Sequence, residues 1–260
     1  MSDPIHEDEY DDALVGFLEL IYGHGFIAPG GPDEVRNLVE GADLAGKLVL
    51  DIGCGIGGVD IMLARDYGCD IIALDIEAPL LDKARERAAM AGLVDRIDFR
   101  HVEPGPLPLA DAAVDVVFSK DAWIHIPDKP ALLADVFRVL RPGGLLLAAD
   151  WCRGPEPYSA DMEYFFKLEG LTYNMVTLDS YGVGLADSGF TDIELRDISD
   201  RFRTLSEDQY ERLKGPLNGP MRDLVSDKMA DHFVENWRQL LVVIDGGELR
   251  PGHLRARKPR

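Results

Sequence analysis

A chain of 260 residues, 46% of them hydrophobic, has the material for a sizeable core, and its length suits one domain with an insertion. Its 27 Lys and Arg stand against 47 Asp and Glu, a formal net charge of −20. Such a surface repels phosphate backbones and anionic lipid, so neither nucleic acid nor a membrane is an expected partner. Residues 1–45 read as helical in two stretches, "DDALVGFLELIYG" and "PDEVRNLVEGADL", on either side of the Gly/Pro turn "HGFIAPGG". From Lys47 onward strands and helices alternate. Strands are predicted at 47–53, 69–76, "RIDFRHV", 114–120 and 145–151, and helices at 58–68, 78–92 and "KPALLADVFRVLRPGG", the last stopped by Pro142 and its glycines.

That alternation implies an α/β, doubly wound (Rossmann-like), mostly parallel sheet. Residues 191–198 and 253–257 complete seven strands, the latter expected at the sheet edge. Residues 153–189 and 205–244 read as helical. The expected organisation is a single domain over 1–260. It divides into an N-terminal helical lid (1–45), a ligand-binding core (46–152), an insertion covering the active site (153–245), and a closing strand and tail (246–260). The cysteines Cys54, Cys69 and Cys152 lack metal-ligand spacing and predict no metal site. With an acidic N-terminus where a signal peptide would be basic, they predict a cytoplasmic location.

Two stretches carry chemistry. In "LDIGCGIGG" (50–58) Gly53, Gly55 and Gly58 follow a strand and open a helix, so backbone N–H groups can approach a ligand closely. The spacing satisfies GxGxxG and leaves a dinucleotide open. Asp51, at the strand end, suits a cationic ligand group instead, and Asp75, ending the next strand, suits a ribose. In "SKDAWIHIPDK" (119–129) Asp121 and His125 are four residues apart. They share a face if the segment is helical, and lie at the carboxyl end of the sheet if it is a loop. An acid and an imidazole here form either a working pair or a buried histidine with its hydrogen-bond partner.

"VLDIGCGIGG", Asp75, "LPLADAAVDVVFSKD" and "LRPGG" together resemble the S-adenosylmethionine (SAM) site of class I methyltransferases, over about residues 45–152. The resemblance implies that Asp51, Gly53, Gly55 and Ser119 meet the methionine end of SAM. It also implies that Asp75 takes the ribose, that Ile76 lies against the adenine, and that Ile27, Glu103 and Pro104 complete the cofactor set. S-adenosylhomocysteine would be the product. "YGHGFIAPGG", "SKDAWIHI", "AADWC" and "LRDISDRF" are similar to phosphoethanolamine N-methyltransferases and to sarcosine/dimethylglycine N-methyltransferases. That similarity implies Tyr10 and His125 as a pair that latches the site and assists deprotonation. Asp121 would stand where SAM meets substrate, with Tyr173 and Tyr181 against the acceptor. Leu171 stands where the phosphoethanolamine enzymes have an Arg for the phosphate.

An N-methyl acceptor must lose a proton before it can attack, because an alkylammonium ionises only near pH 10.4. An imidazole near neutrality can take that proton. The expected substrate is a small polar amine, with a phosphate, a carboxylate or neither at its far end, acted on by a monomer or homodimer. O- or S-methylation of a small metabolite, and SAM binding without turnover, are the alternatives.

Overall fold

The computed structural model describes residues 11–260; Tyr10 lies outside them. Two helices precede the sheet, α1 (Asp12–Tyr22) and α2 (Gly31–Leu38). Asp11 caps α1 by accepting from Leu14 N at 2.7 Å, and Val15, Phe17 and Ile21 form its buried face. The alternating core follows: β1 (Leu48–Ile52), α3 (Gly58–Met62, extended by a π turn to Tyr67), β2 (Asp70–Asp75), α4 (Ala78–Met90), β3 (Ile97–His101), β4 (Val114–Lys120), α5 (Lys129–Val139) and β5 (Leu140–Asp150). Then come α6 (Ala160–Glu169), α7 (Leu178–Asp187), β6 (Thr191–Asp197), α8 (Ser199–Lys214), α9 (Asn218–Leu224), α10 (Asp227–Asp245) and β7 (Gly252–Arg257).

The seven strands form one mixed sheet in the order β3-β2-β1-β4-β5-β7-β6. β3 to β5 are parallel, and β7 pairs antiparallel with both β5 and β6. The order reverses between β1 and β4, so a crevice opens at their carboxyl ends, where such sheets bind ligands.

Four expectations need correction. Residues 253–257 do not form an edge: β7 is interior, and β6 takes the outer position. The lever is the buried apolar side of β7, where Leu254 and Ala256 are fully enclosed. The helix expected to stop at Pro142 ends at Val139. "LRPGG" already belongs to β5, Leu140 pairing with Val114 across a register shift. The region 153–245 is not one insertion. Tyr181 and Leu185 of α7 and Phe190 beyond it pack into the same apolar layer as Val117 and Leu146, so 178–197 belongs to the α/β core. α6, α8, α9 and α10 pack with α1 around Phe17, Phe165, Met221 and Trp237, which together form the cap. The long helical stretch at 205–244 is three helices, starting earlier, at Ser199, and broken at Gly215 and Val225.

Lid, cap and sheet meet at Glu34. This buried α2 carboxylate faces His253 Nε2 of β7 at 2.6 Å and accepts from Arg201 Nε of α8 at 2.9 Å. Burial alone would push its pKa up, but the His253 and Arg201 contacts outweigh burial and hold it at about 2. Glu34→Gln is therefore expected to cost about 1.5 kcal/mol at pH 7. Because the folded pKa lies below the ordinary 4.5, that contribution is full above pH 4.5 and fades as pH falls toward 2. Urea unfolding at pH 7 and pH 3 checks both the cost and its disappearance.

Candidate active site

The glycine turn between β1 and α3 is shaped by close approach. Gly53, Gly55 and Gly57 all have positive φ, at 84°, 54° and 78°, a region that side chains rarely adopt. A Cβ on Gly53 would meet Ala122 Cβ at 2.2 Å, and one on Gly55 would meet Ile27 Cδ1 at 2.9 Å. Two chain segments thus close over the turn: 121–125 after β4, and 23–30 after α1. The second is fastened at Gly25, whose N–H donates to Glu19 Oε1 at 2.6 Å, while Arg87 of α4 grips the same carboxylate through two hydrogen bonds. Asp75 Oδ2 accepts from Gly55 N at 2.7 Å and Oδ1 from Glu77 N at 2.9 Å. It holds the turn against β2 and retains acceptor capacity on both oxygens.

Beneath the turn lies a carboxylate pair. Asp51 is 1% exposed and Asp60, on α3, is 0% exposed. Asp51 Oδ1 and both Asp60 oxygens have no hydrogen-bond partner among the described residues. Burial, then mutual repulsion and Asp75, pushes Asp51 well above the ordinary carboxylate range, and burial lifts Asp60 to about 7. Buried carboxylate oxygens without donors are a receptor for a cationic ligand group. Ile76, an apolar side chain 50% exposed at the end of β2, suits a flat ring. Glu103 and Pro104 are exposed just beyond Val102, whose N–H donates to the Asp75 carbonyl. These residues fit SAM: an ammonium by Asp51, a ribose by Asp75, and an adenine by Ile76.

Residues 121–128 are a loop with one 3₁₀ turn, Trp123–His125, leaving the carboxyl end of β4. Asp121 has φ +56°, a strained conformation for a non-glycine residue. It is pinned by its N–H to Ala149 O at 2.8 Å and by an ion pair with Lys120 at 2.6 Å. Lys120 also donates to Pro29 O at 2.8 Å, tying this loop to the α1–α2 connection. Trp123 is fully buried, whereas the His125 ring is exposed, with Nδ1 3.3 Å from Thr172 O and its ring 5.6 Å from Tyr173.

Two expected site residues sit elsewhere. Ser119 is buried and donates to Ile52 O at 2.6 Å, joining β4 to β1 rather than facing a ligand. Strand alternation turns it inward, where its hydroxyl must find a partner. Tyr181 is 1% exposed and donates to Asp150 Oδ2 at 2.6 Å, so it is a core residue of α7 and not an acceptor contact. Tyr173 stays at the loop, between His125 and Trp151.

Asp150, Lys129, Trp151 and Arg201 escaped the sequence reading. Asp150 Oδ1 accepts from Ile124 N at 2.9 Å, and Lys129 Nζ donates to the Trp123 and Ile126 carbonyls, so both fix the 3₁₀ turn. Burial raises Asp150 to about 7, against the opposing Tyr181 hydrogen bond. Trp151 and Arg201 line a small pocket with Asp121, Asp150, Glu34 and Phe202. The only sequence signal for the acids was a carboxylate on an apolar strand or helix face. Among the described residues no cluster has the composition of a metal site, and no helix is long and apolar enough to cross a membrane.

Residues 49–144 match the family model described as a methyltransferase domain. The chain is 32% identical over 234 residues to phosphoethanolamine N-methyltransferase 1 of Arabidopsis thaliana, covering 90% of this chain and 47% of that one. It is 30% identical to the 27-O-demethylrifamycin SV methyltransferase of Amycolatopsis mediterranei, covering 78% of this chain and 80% of that one. Phosphoethanolamine N-methyltransferase 2 of Haemonchus contortus, solved with phosphomonomethylethanolamine and S-adenosylhomocysteine, superposes with a TM-score of 0.90 at 25% identity, over 98% of this chain and 60% of that one. The chain spans about half the length of the first curated relatives it matches. In sheet order, glycine turn and sequence alike, this chain belongs to the class I SAM-dependent methyltransferases, the group that includes the phosphoethanolamine N-methyltransferases it resembles.

Proposed function

We propose that the chain methylates the nitrogen of a small polar amine of the phosphoethanolamine or sarcosine/dimethylglycine type. The observation that carries this reading is the contact between Ala122 and Gly53, which sets the loop bearing Asp121 and His125 directly against the glycine turn. Bound there, SAM would supply a sulfonium methyl group for the acceptor's lone pair to displace, with S-adenosylhomocysteine as the leaving product.

The chain's own residues prepare the acceptor. Asp121, held in its strained conformation and charge-balanced by Lys120, orients the incoming ammonium. His125, exposed at the rim, takes the proton that leaves the nitrogen. Trp151 and Tyr173 offer aromatic faces that favour the methylammonium as it forms. Asp150 and Lys129 keep His125 in place through the backbone of its turn. Tyr10 would complete the latch with His125.

Labelled SAM incubated with phosphoethanolamine, sarcosine, dimethylglycine and ethanolamine tests the reading. Transfer to at least one of them, rising between pH 7 and 9 as free amine accumulates, is the expected result. Label appearing only on a hydroxyl or thiol acceptor would overturn it.

A further inference from the structure

We infer that Arg201 determines acceptor specificity in this site, receiving the oxyanion, carboxylate or phosphate, at the far end of an amine whose nitrogen lies at Asp121. The inference rests on the amine methylation proposed above and deepens it, narrowing the acceptor to a short amine that ends in an oxyanion.

Arg201, Phe202 and Leu205 lie in the first two turns of α8. The spacing of Arg201 and Leu205 puts both on one helix face, and with Phe202 they line the small pocket shared with Asp121 and Trp151. The Trp151 ring lies 5.7 Å from Phe202 and 6.0 Å from Tyr173, which in turn lies 5.6 Å from the His125 ring. Trp151 thus connects the His125 side of the site to the cap helix that carries Arg201.

The acids around this pocket are already answered, whereas Arg201 keeps donors in hand. Glu34 Oε1 faces His253 Nε2 at 2.6 Å, and its Oε2 accepts from Arg201 Nε at 2.9 Å. Asp150 uses both oxygens, on Ile124 N and the Tyr181 hydroxyl, and burial raises it to about 7. Asp121 meets Lys120 through Oδ2, leaving Oδ1 for an ammonium. Arg201 gives Nε to Glu34, and among the described residues neither of its Nη nitrogens makes a hydrogen bond. The Glu34 contact therefore steadies the guanidinium without using its fork. Trp151 adds a second donor, because its indole N–H is buried with no acceptor among the described residues. Buried donors of this kind call for acceptor oxygens.

Among the described residues Arg201 is the one cation lining this pocket, and Leu171 supplies no charge to an acceptor. A carboxylate or phosphate meeting the Nη donors gains charge-assisted hydrogen bonds, for which the planar guanidinium has the matching geometry. The Arg201 side chain is 52% exposed, so the oxyanion stays partly hydrated and the attraction is moderate. An acceptor of the same length with a neutral end leaves those donors to water and gains little from them. Specificity then arises from two charges held in one pocket, an ammonium at Asp121 and an oxyanion at Arg201.

The test compares kcat/KM of the full chain, with labelled SAM, within two pairs: phosphoethanolamine against ethanolamine, and sarcosine against N-methylethanolamine. The parent is expected to favour the oxyanion member of at least one pair by about tenfold or more, and the pair that shows it tells phosphate from carboxylate. Arg201→Gln removes the charge and keeps an amide donor for Glu34. It should cut that preference by about tenfold or more, through a higher KM for the oxyanion acceptor. Arg201→Met takes its place if the Gln variant does not fold. Glu34→Gln breaks the same link between lid and cap but spares the guanidinium, so it should keep most of the preference. The inference is overturned, with amine methylation intact, if the parent favours neither oxyanion acceptor or if neutralising Arg201 leaves the preference unmoved. It is equally overturned if Glu34→Gln abolishes the preference as fully, which would make Arg201 a tether alone. No transfer to any amine sinks the amine reading itself, and this inference with it.

Discussion

His125→Ala is expected to lower kcat/KM for amine methylation by about 10² to 10⁴ at pH 7, the range of a positioned general base. The deficit should shrink as pH rises toward 10, because an alkylammonium of pKa about 10.4 then supplies free amine without help. That pH dependence separates a base from a positioning group, whose loss would be felt equally at every pH. Stability is a clean control. The ring is exposed and the turn that carries it is held at its neighbours by Asp150 and Lys129, so its removal opens no core cavity. Initial rates with labelled SAM at pH 7, 8, 9 and 10, beside thermal melts, make the comparison. A deficit that is flat across pH would assign the proton to another group.

The parts of this site legible in the sequence are those where one residue type answers one local demand. Gly53 and Gly55 stand where the backbone needs positive φ and where a neighbour fills the space a Cβ would take. Asp51 lies one residue before the end of β1 and Asp75 ends β2, so their direction followed from strand position. The loop character of 121–128 followed from its place after β4. What stayed hidden depends on which way a side chain turns and on pairings distant in sequence. Ser119 and Tyr181 have the chemistry of site residues, but alternation along β4 and the packed face of α7 point them into the core. The interior position of β7 depends on antiparallel pairing with β5 over more than a hundred residues, Leu145 facing Arg257. No local pattern in "GHLRAR" reports that. Glu34, Asp60 and Asp150 share one faint mark, an acid on the buried side of its element. Charge composition alone reads them as solvated, because most of the 47 acids here are.

Asp60→Asn is expected to stabilise the protein at alkaline pH, by a margin over the parent that widens by about 2 kcal/mol between pH 5.5 and 8. Asp60 is fully buried, with neither oxygen partnered among the described residues, and Asp51 is buried beside it with Oδ1 equally bare. Burial lifts the Asp60 carboxyl from its ordinary 3.8 to about 7. A folded pKa above the unfolded one means that the native state holds the proton more tightly. Stability is then greatest in acid and is lost as pH rises from about 4 to about 7, with no further loss beyond. An asparagine removes the second charge, so the variant should lack Asp60's share of this slope, while burial still raises Asp51. In a chain of this size the widening corresponds to about 4–8 °C in melting temperature between the two pH values.

The strain also bears on ligand binding, because a cationic group brought to Asp51 offsets the charge that the pair cannot otherwise relieve. SAM should therefore raise the parent's melting temperature more at pH 8 than at pH 5.5, and the variant's with a smaller difference between the two. Equal ligand shifts in the parent at both pH values would show that the Asp51–Asp60 pair is a buried defect of the core with no part in holding the cofactor.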